Sequence, residues 1–326
     1  MITIPMSISR LVSSIALGAA VFAAPVSDAV AQEPKLDCTA QVVIHSKFGG
    51  GTDTTARLMM VRTRRNLDTD MQVVAQRGGS GAKAQEYVLS RPADGCTIMA
   101  LTQTHLYTIA RGKSEMKIDD MIGIARAMDD PTFIAVNAKG KYKTIEDLVA
   151  ASKEAPLNWG VAQIGGTEHI GLALFAKEAG IKFKVVPFGS GAQMVQALLS
   201  GAIDATLPNV SEAGSQVTDG ALLPLAVLAE KRLADYPDVP TAMEKGINAK
   251  TSTTRGYAVR AGTPQPIIDM LSKALVKGMQ HEVFANYLKS AGLRVEDSVA
   301  GTEIWDKALK EEYAKASVAL DELGLK

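Results

Sequence analysis

The stretch QVVIHSKFGGGTDTTAR, residues 41–57, changes character twice within its length. Gln41 to Ser46 is a β-branched run of strand type, and three glycines follow at Gly49 to Gly51. From Thr52–Asp53 to Leu67, apolar residues recur at three- and four-residue spacing, the mark of an amphipathic helix. Glycine lets the chain turn sharply and lets another molecule approach the main chain closely. The first amides of a helix lack partners and sit at the positive end of its dipole. Such a junction is a ready anion site that needs neither metal nor cationic side chain. Lys47 stands beside it and could add a full charge. The same residues equally suit a tight turn capped by Thr52 or Asp53. Asp53 is read as tying the loop down rather than as an acid facing an anion.

Working outward, the strand-to-helix alternation continues. MQVVAQ and CTIMAL read as strands around the helix AKAQEYVLS, and FIAVNA precedes TIEDLVAASKEA, which opens on a capping-box pair, Thr144 and Asp147. LNWGVAQ, KFKVVPF, AIDATLP and LLPLAVLA read as further strands; TEHIGLALFAKEAG, ending at Gly180, and GAQMVQALLSG read as helices. From Pro266 to Leu325 the pattern is mostly helical. Alternation of this kind predicts an α/β fold of parallel sheets covered on both faces. About nine strands suit two smaller sheets better than one. Crossings near Asp130–Val136 and Thr254–Arg260 would divide the chain into domain 1, residues 34–133 plus 257–326, and domain 2, residues 134–256. A ligand cleft is expected where the carboxyl ends of the two sheets face each other.

Two further glycine junctions fall in the second half. VAQIGGTEHIG places Gly165 and Gly166 ahead of Thr167, Glu168 and His169, and VVPFGSGAQM places Gly189, Ser190 and Gly191 at a helix start. Helix starts facing one another from two domains suit a small solute with one or more carboxylates.

Composition excludes several classes. Lysine plus arginine balance aspartate plus glutamate at 35 each, so no global field points to nucleic acid or an acidic surface. Arg62, Arg64 and Arg65 fit a solvated helix face. The segment GSGAKA from Gly79 matches the spacing of a dinucleotide loop, but it follows no first strand and no acidic partner follows it. His45, His105, His169 and His281 show no metal-ligand spacing, and no nucleophile–base pair is visible. No cofactor, metal or catalytic residue is expected, and Trp159 reads as core. Near the start, Arg10 precedes LVSSIALGAAVFAA, too short to span a bilayer, and Ala29-Val30-Ala31 has the small-x-small pattern of a cleavage site. Residues 1–31 therefore read as a signal peptide, which places the protein in the periplasm. An exported chain with Cys38 and Cys96, each just before a strand, leaves two readings open: one disulfide, or two buried free thiols.

With these segments in hand, the chain resembles the solute-binding proteins of tripartite tricarboxylate transporters, also called Bug proteins. FGGGTDTTAR is similar to the family's first glycine-rich loop, and QRGGSGAKA resembles its N-R-P-G-A-G-G segment, with Gln76 and Gly78 in place of Asn and Pro. RPADGCTIM resembles its P-x-D-G-Y-T-L block, with Cys96 where tyrosine is usual, and VVPFGSGAQ resembles V-P-Y-x-G. LLSGAIDA, DVPTAMEKG and AGTP complete the order. The resemblance implies a periplasmic binding protein fold, hinge strands, and a partner permease of one large and one small membrane subunit. It implies a monomeric receptor and a carboxylate ligand, a di- or tricarboxylate or an aromatic acid such as terephthalate. The implied ligand-binding residues in the first domain are Ser46, Lys47, Phe48, Gly50, Gly51, Thr52, Asp53, Thr102, Gln103 and Thr104. In the second they are Gln163, Gly165, Gly166, Thr167, His169, Pro187, Phe188, Ser190 and Asn209. His45 to Phe48 depart from the usual P-F-x-P, and Thr254 replaces a frequent tryptophan beside Arg255; both suggest a more polar pocket, with Lys47 in contact with the ligand. Two rival readings are a sensing subunit of a two-component system and a periplasmic hydrolase or dehydrogenase.

Overall fold

The computed structural model describes residues 1–3 and 34–326. The signal-peptide reading therefore lies outside the described residues, apart from Met1 to Thr3. From Pro34 to Lys326 the chain forms one body. It begins β1 (Ala40–Ile44), α1 (Gly51–Leu67), β2 (Met71–Ala75), α2 (Ala82–Leu89), β3 (Thr97–Thr102), α3 (Gln103–Ala110) and β4 (Met121–Pro131). Then come β5 (Phe133–Asn137), α4 (Ile145–Glu154), β6 (Leu157–Val161), α5 (Thr167–Ala179), β7 (Phe183–Pro187), α6 (Gly191–Leu199), β8 (Ala205–Thr206), α7 (Val210–Thr218) and β9 (Leu222–Val227). It ends β10 (Ser252–Arg260), α8 (Gln265–Met279), α9 (Glu282–Ser290), α10 (Val295–Ser298), β11 (Ala300–Gly301) and α11 (Thr302–Leu323).

Two sheets result, ordered β11-β4-β10-β3-β1-β2 and β7-β6-β8-β5-β9. The α/β class is as expected, but the sheets are mixed rather than parallel. β1, β2 and β3 run parallel, whereas β10 is antiparallel to both β3 and β4. In the second sheet β6, β7 and β8 are parallel, and β5 is antiparallel to β8 and β9. The strands that carry the chain between sheets are the ones that reverse direction. β4 passes through Thr132 into β5, and β10 brings the chain back, paired with β4 from Ser252 onward and so ahead of Tyr257.

Alternation along each strand sorts side chains to opposite faces. Val42 and Ile44 of β1, with Ile98 and Ala100 of β3, pack toward Met59 of α1 and Leu271 and Leu275 of α8. Val43, Met99 and Leu101 point the other way, toward Leu106 of α3 and Trp305 and Leu309 of α11. Trp305 is fully buried, donates to the Tyr257 carbonyl at 3.1 Å, and lies flat enough on β4 and β10 that a Cβ at Gly123 or Gly256 would collide with it. Trp159 is core as expected, against Phe175, Leu148 and Leu172. Thr144 and Asp147 form the expected capping box at α4, and Gly180 ends α5 in the left-handed conformation.

Cys38 and Cys96 are joined as a disulfide, Cα atoms 6.2 Å apart. Both precede neighbouring parallel strands, β1 and β3, which brings them to one sheet end.

Candidate functional site

The carboxyl ends of β1, β3 and β6 meet at a small cavity of about 30 Å³ between the sheets. Three helices begin on it: α1 at Gly51, α5 at Thr167 and α6 at Gly191. Each N-terminus contributes first-turn amides and the positive end of a dipole. Of the residues predicted to bind ligand, Ser46, Gly50, Gly51, Thr52, Thr102, Thr104, Gln163, Thr167 and Ser190 line the cavity. The hydroxyls of Ser46, Thr102 and Ser190 are buried there without a partner, and a buried polar group without a partner calls for an explanation. Here that explanation is the cavity they face.

The other predicted residues are placed elsewhere, each with a role of its own. Lys47 reaches across the cleft, its Nζ donating to Gln193 Oε1 at 2.7 Å and its backbone N–H to the Gly189 carbonyl at 3.0 Å. It latches one side of the cleft to α6 and does not enter the cavity. Phe48 is exposed, with the Arg57 guanidinium over its ring. Asp53 accepts from the Gly49 amide and from Arg57 Nε, both at 2.8 Å, and so holds the loop as expected. Gln103 turns toward β10, exchanging hydrogen bonds with the backbone and hydroxyl of Thr254. Gly165 takes a positive φ of 71° and donates to His169 Nδ1 at 2.8 Å, so His169 fastens the loop ahead of α5. Gly166 is the residue before α5, and Pro187 pairs with Val161 in the sheet. Phe188 packs in the core beside Gly160. Asn209 sits behind the wall, donating to the Asp130 carbonyl at 3.0 Å and to Thr132 Oγ1 at 3.2 Å. The GSGAKA turn is likewise a cleft fastener, with Ser80 Oγ donating to the Ile164 carbonyl at 2.6 Å.

Charged residues absent from the predicted set dominate the electrostatics. Arg255 of β10 lines the cavity and is almost wholly buried. Its Nη2 donates to Asp130 Oδ2 at 2.9 Å and to Asn209 Oδ1 at 3.0 Å. Burial works to lower its pKa, but Asp130 and Glu212 outweigh that and keep it charged. Asp130 is fully buried, which pushes its carboxyl up, against the opposing pull of Arg255 and of the Ser211 hydroxyl. Glu212, in the first turn of α7, accepts the Gly51 amide at 2.6 Å with Oε1, while its Oε2 is buried without a partner. Glu168, in the first turn of α5, also lines the cavity, and its carboxyl is pushed up to about 7, first by burial and then by Glu212. His45 lies edge-on to His105, centroids 4.3 Å apart. Burial, then His105 and Arg255, hold His45 well below the usual imidazole range. A second, larger cavity of about 600 Å³, lined by Gln103, Asp129, Leu228, Thr254, Glu312 and Lys315, lies beside β10 and α11, away from these helix starts. Among the described residues no acidic, histidine or cysteine cluster could hold a metal, and no helix is long and apolar enough to cross a membrane.

Helix starts converging from two sheets on a polar cavity is the arrangement of a solute receptor, and comparison with known proteins agrees. The profile of the family described as "Tripartite tricarboxylate transporter family receptor" matches residues 55–325. The chain belongs to this family. Protein BugT of Bordetella pertussis is 26% identical over 301 residues, spanning 88% of this chain and 90% of that one. Two solved structures of about one-fifth identity share the fold. MatC of Rhodopseudomonas palustris, with bound malate, aligns with a TM-score of 0.80 at 22% identity over 86% of this chain and 98% of its own. A second R. palustris protein, with adipate, aligns at 0.80 and 23% identity over 88% and 97%. The receptor is thus a member of a solute-binding family whose fold neighbours hold small organic acids.

Proposed function

We propose that this receptor works in the periplasm, captures a small carboxylate between lobes 34–133 plus 257–326 and 134–256, and delivers it to a two-subunit membrane permease. One observation carries the reading: the starts of α1, α5 and α6 open onto a single small cavity with the unpartnered hydroxyls of Ser46, Thr102 and Ser190. Amides and hydroxyls in that array complement carboxylate oxygens, and a hydrogen bond to a charged acceptor is worth about 1.5–3 kcal/mol. The malate and adipate bound by the two R. palustris proteins fit the same solute class. At about 30 Å³ the cavity has room for roughly two water-sized groups. Entry of a malate-sized acid therefore requires the lobes to part, hinging where β4 and β10 cross between sheets, and closure re-forms the Lys47–Gln193 and Ser80–Ile164 contacts around it. The receptor binds and releases; it does no chemistry on the solute.

A thermal-shift screen of the purified protein against mono-, di- and tricarboxylates and aromatic acids tests this, since a solute that binds only the folded state raises Tm by mass action. A dose-dependent rise with at least one acid is expected, weakened in a Ser46→Ala, Ser190→Ala double variant. No shift with any acid at millimolar concentration rules the reading out.

A further inference from the structure

The cavity that receives the solute is not built as a simple anion trap. Its one cationic side chain, Arg255, is already paired with the buried Asp130 at 2.9 Å. Two more carboxylates face the space, Glu212 from α7 and Glu168 from α5. Glu212 is deliberately accommodated: a Cβ on Gly191 would lie 1.9 Å from its Oε2, and one on Gly51 would lie 2.8 Å from its Oε1. Glycine at both positions lets the carboxylate lie between the facing starts of α1 and α6. One oxygen takes the Gly51 amide; the other is buried with no hydrogen-bond partner. An anion placed against this oxygen meets like charge at close range, whereas a protonated nitrogen there gains a charge-assisted hydrogen bond and removes an unsatisfied buried acceptor. Meanwhile Ser46, Thr102 and Ser190, each more than nine-tenths buried, present partnerless hydroxyls to the same space and suit a carboxylate.

We infer that the cleft takes a zwitterionic solute, a small carboxylate bearing an ammonium group, with Glu212 and Glu168 recognising the nitrogen and the serine and threonine hydroxyls the carboxylate. The inference rests on the receptor reading above and narrows its solute class. It follows from charge: Arg255 is shared between Asp130 and Glu212, so the cavity's one cation is already spoken for. A bare dicarboxylate brings its negative charge beside Glu212 with little beyond helix dipoles of about half a charge each to offset it. An ammonium group cancels one of those charges at the place where an acceptor waits.

The experiment is titration calorimetry of the purified receptor with skeleton-matched pairs: aspartate against succinate, glutamate against glutarate, and β-alanine against propionate. At least one amino-bearing member should bind about 10- to 100-fold more tightly than its partner, the range of one hydrogen bond between charged groups. Glu212→Gln keeps an oxygen for the Gly51 amide, and its melting curve confirms folding; it should erase that preference, so that the amino-bearing and plain members of each pair bind with equal affinity, whatever the absolute value. Glu168→Gln should do the same to a smaller extent. Preference for the plain acids in the unaltered receptor, or a Glu212→Gln variant that keeps the amino preference, overturns the inference while leaving the carboxylate receptor intact. Failure of every compound to bind removes both.

Discussion

Asp130→Asn is the substitution whose effect the structure fixes most tightly. Asp130 is fully buried, Arg255 is 4% exposed, and their contact of 2.9 Å lies where the two crossing strands β4 and β10 run side by side. Asparagine can still accept from Arg255 and Ser211, but it leaves the guanidinium without its principal counter-charge. Removing one member of a buried pair costs about 3–5 kcal/mol because the survivor stays desolvated and unpaired. Glu212 also pulls on Arg255, which places the expectation at the low end, about 3 kcal/mol. Over the roughly 290 residues from Pro34 to Lys326, an unfolding entropy of about 2.1 cal/mol/K per residue makes this a fall in Tm of about 5 °C, and up to about 8 °C at the upper end. Differential scanning calorimetry without solute reads it directly. Pairing the change with Arg255→Met removes both charges, and the double variant should lose less than the two single losses added together, with a coupling of at least about 1 kcal/mol. A Tm drop under about 2 °C for Asp130→Asn, or strict additivity in the cycle, refutes the claim that this pair is a coupled buried unit.

Opening the Cys38–Cys96 bond frees a loop with a sequence separation of 58 residues. Chain entropy for that length predicts a loss of about 4 kcal/mol, read as a Tm fall of about 7 °C in the Cys38→Ser, Cys96→Ser variant; equal melting with and without the bond counts against it. Glu168 and Glu312 both carry folded-state pKa values of about 7, raised mainly by burial from the ordinary 4.5. The folded protein therefore binds more protons than the unfolded chain between those values, so these two groups make stability fall as pH rises from about 4.5 to 7. The Tm of the native protein should fall relative to that of a Glu168→Gln, Glu312→Gln variant, whose amides stay neutral, as pH rises through that window; parallel pH curves would contradict the assignment. Gly191→Ala puts a methyl group where Glu212 Oε2 now lies, so Glu212 must leave and its bond to Gly51 break. Small-angle scattering of the solute-free variant should show a larger radius of gyration than the native protein; an unchanged radius argues that Glu212 plays no part in holding the cleft shut.

What the sequence disclosed and what it hid divide along a physical line. The helix after Gly50, the capped start at Thr144 and the stop at Gly180 rest on local signals a few residues long, and each was legible. α3, spanning Gln103–Ala110, begins directly at the end of β3, so no turn residue separates strand from helix. β4 does not read as a strand, because Arg126, Asp129 and Asp130 interrupt its apolar pattern; only a crossing near its end, Asp130–Val136, is legible. The antiparallel run of β10 depends on pairing with segments more than a hundred residues away, which periodicity cannot report. The same holds in the site. Ser190 is legible because it sits at a glycine-rich strand-to-helix junction, a local pattern, whereas Ser46 and Thr102 come only with the family resemblance. Arg255 sits amid TSTTRGYAVR like any solvated charge, and its partner Asp130 lies 125 residues earlier. Glu212 looks like an ordinary first-turn acid at the start of α7; only the fold brings α7 against the starts of α1 and α6.

That concealed group ties the hinge to the cleft. Ser211 and Glu212 are adjacent in α7, yet the first bonds Asp130 on a crossing strand and the second caps Gly51 at the cavity. Arg255 belongs to both sides, anchored on Asp130 and Asn209 while lining the cavity itself. A solute that draws Glu212 away from Gly51 therefore pulls on the same helical turn that helps hold Asp130. In a cleft closed only by surface loops, occupancy and hinge angle would be linked by contact across the opening alone. Here a run of named hydrogen bonds joins the cavity to the two crossing strands, from Gly51 to Glu212, from the adjacent Ser211 to Asp130 of β4, and from Asp130 to Arg255 of β10. The coupling has a consequence the Asp130→Asn variant can show beyond its Tm. Solute affinity should fall together with stability, whereas a change confined to packing would lower Tm and leave affinity where it was.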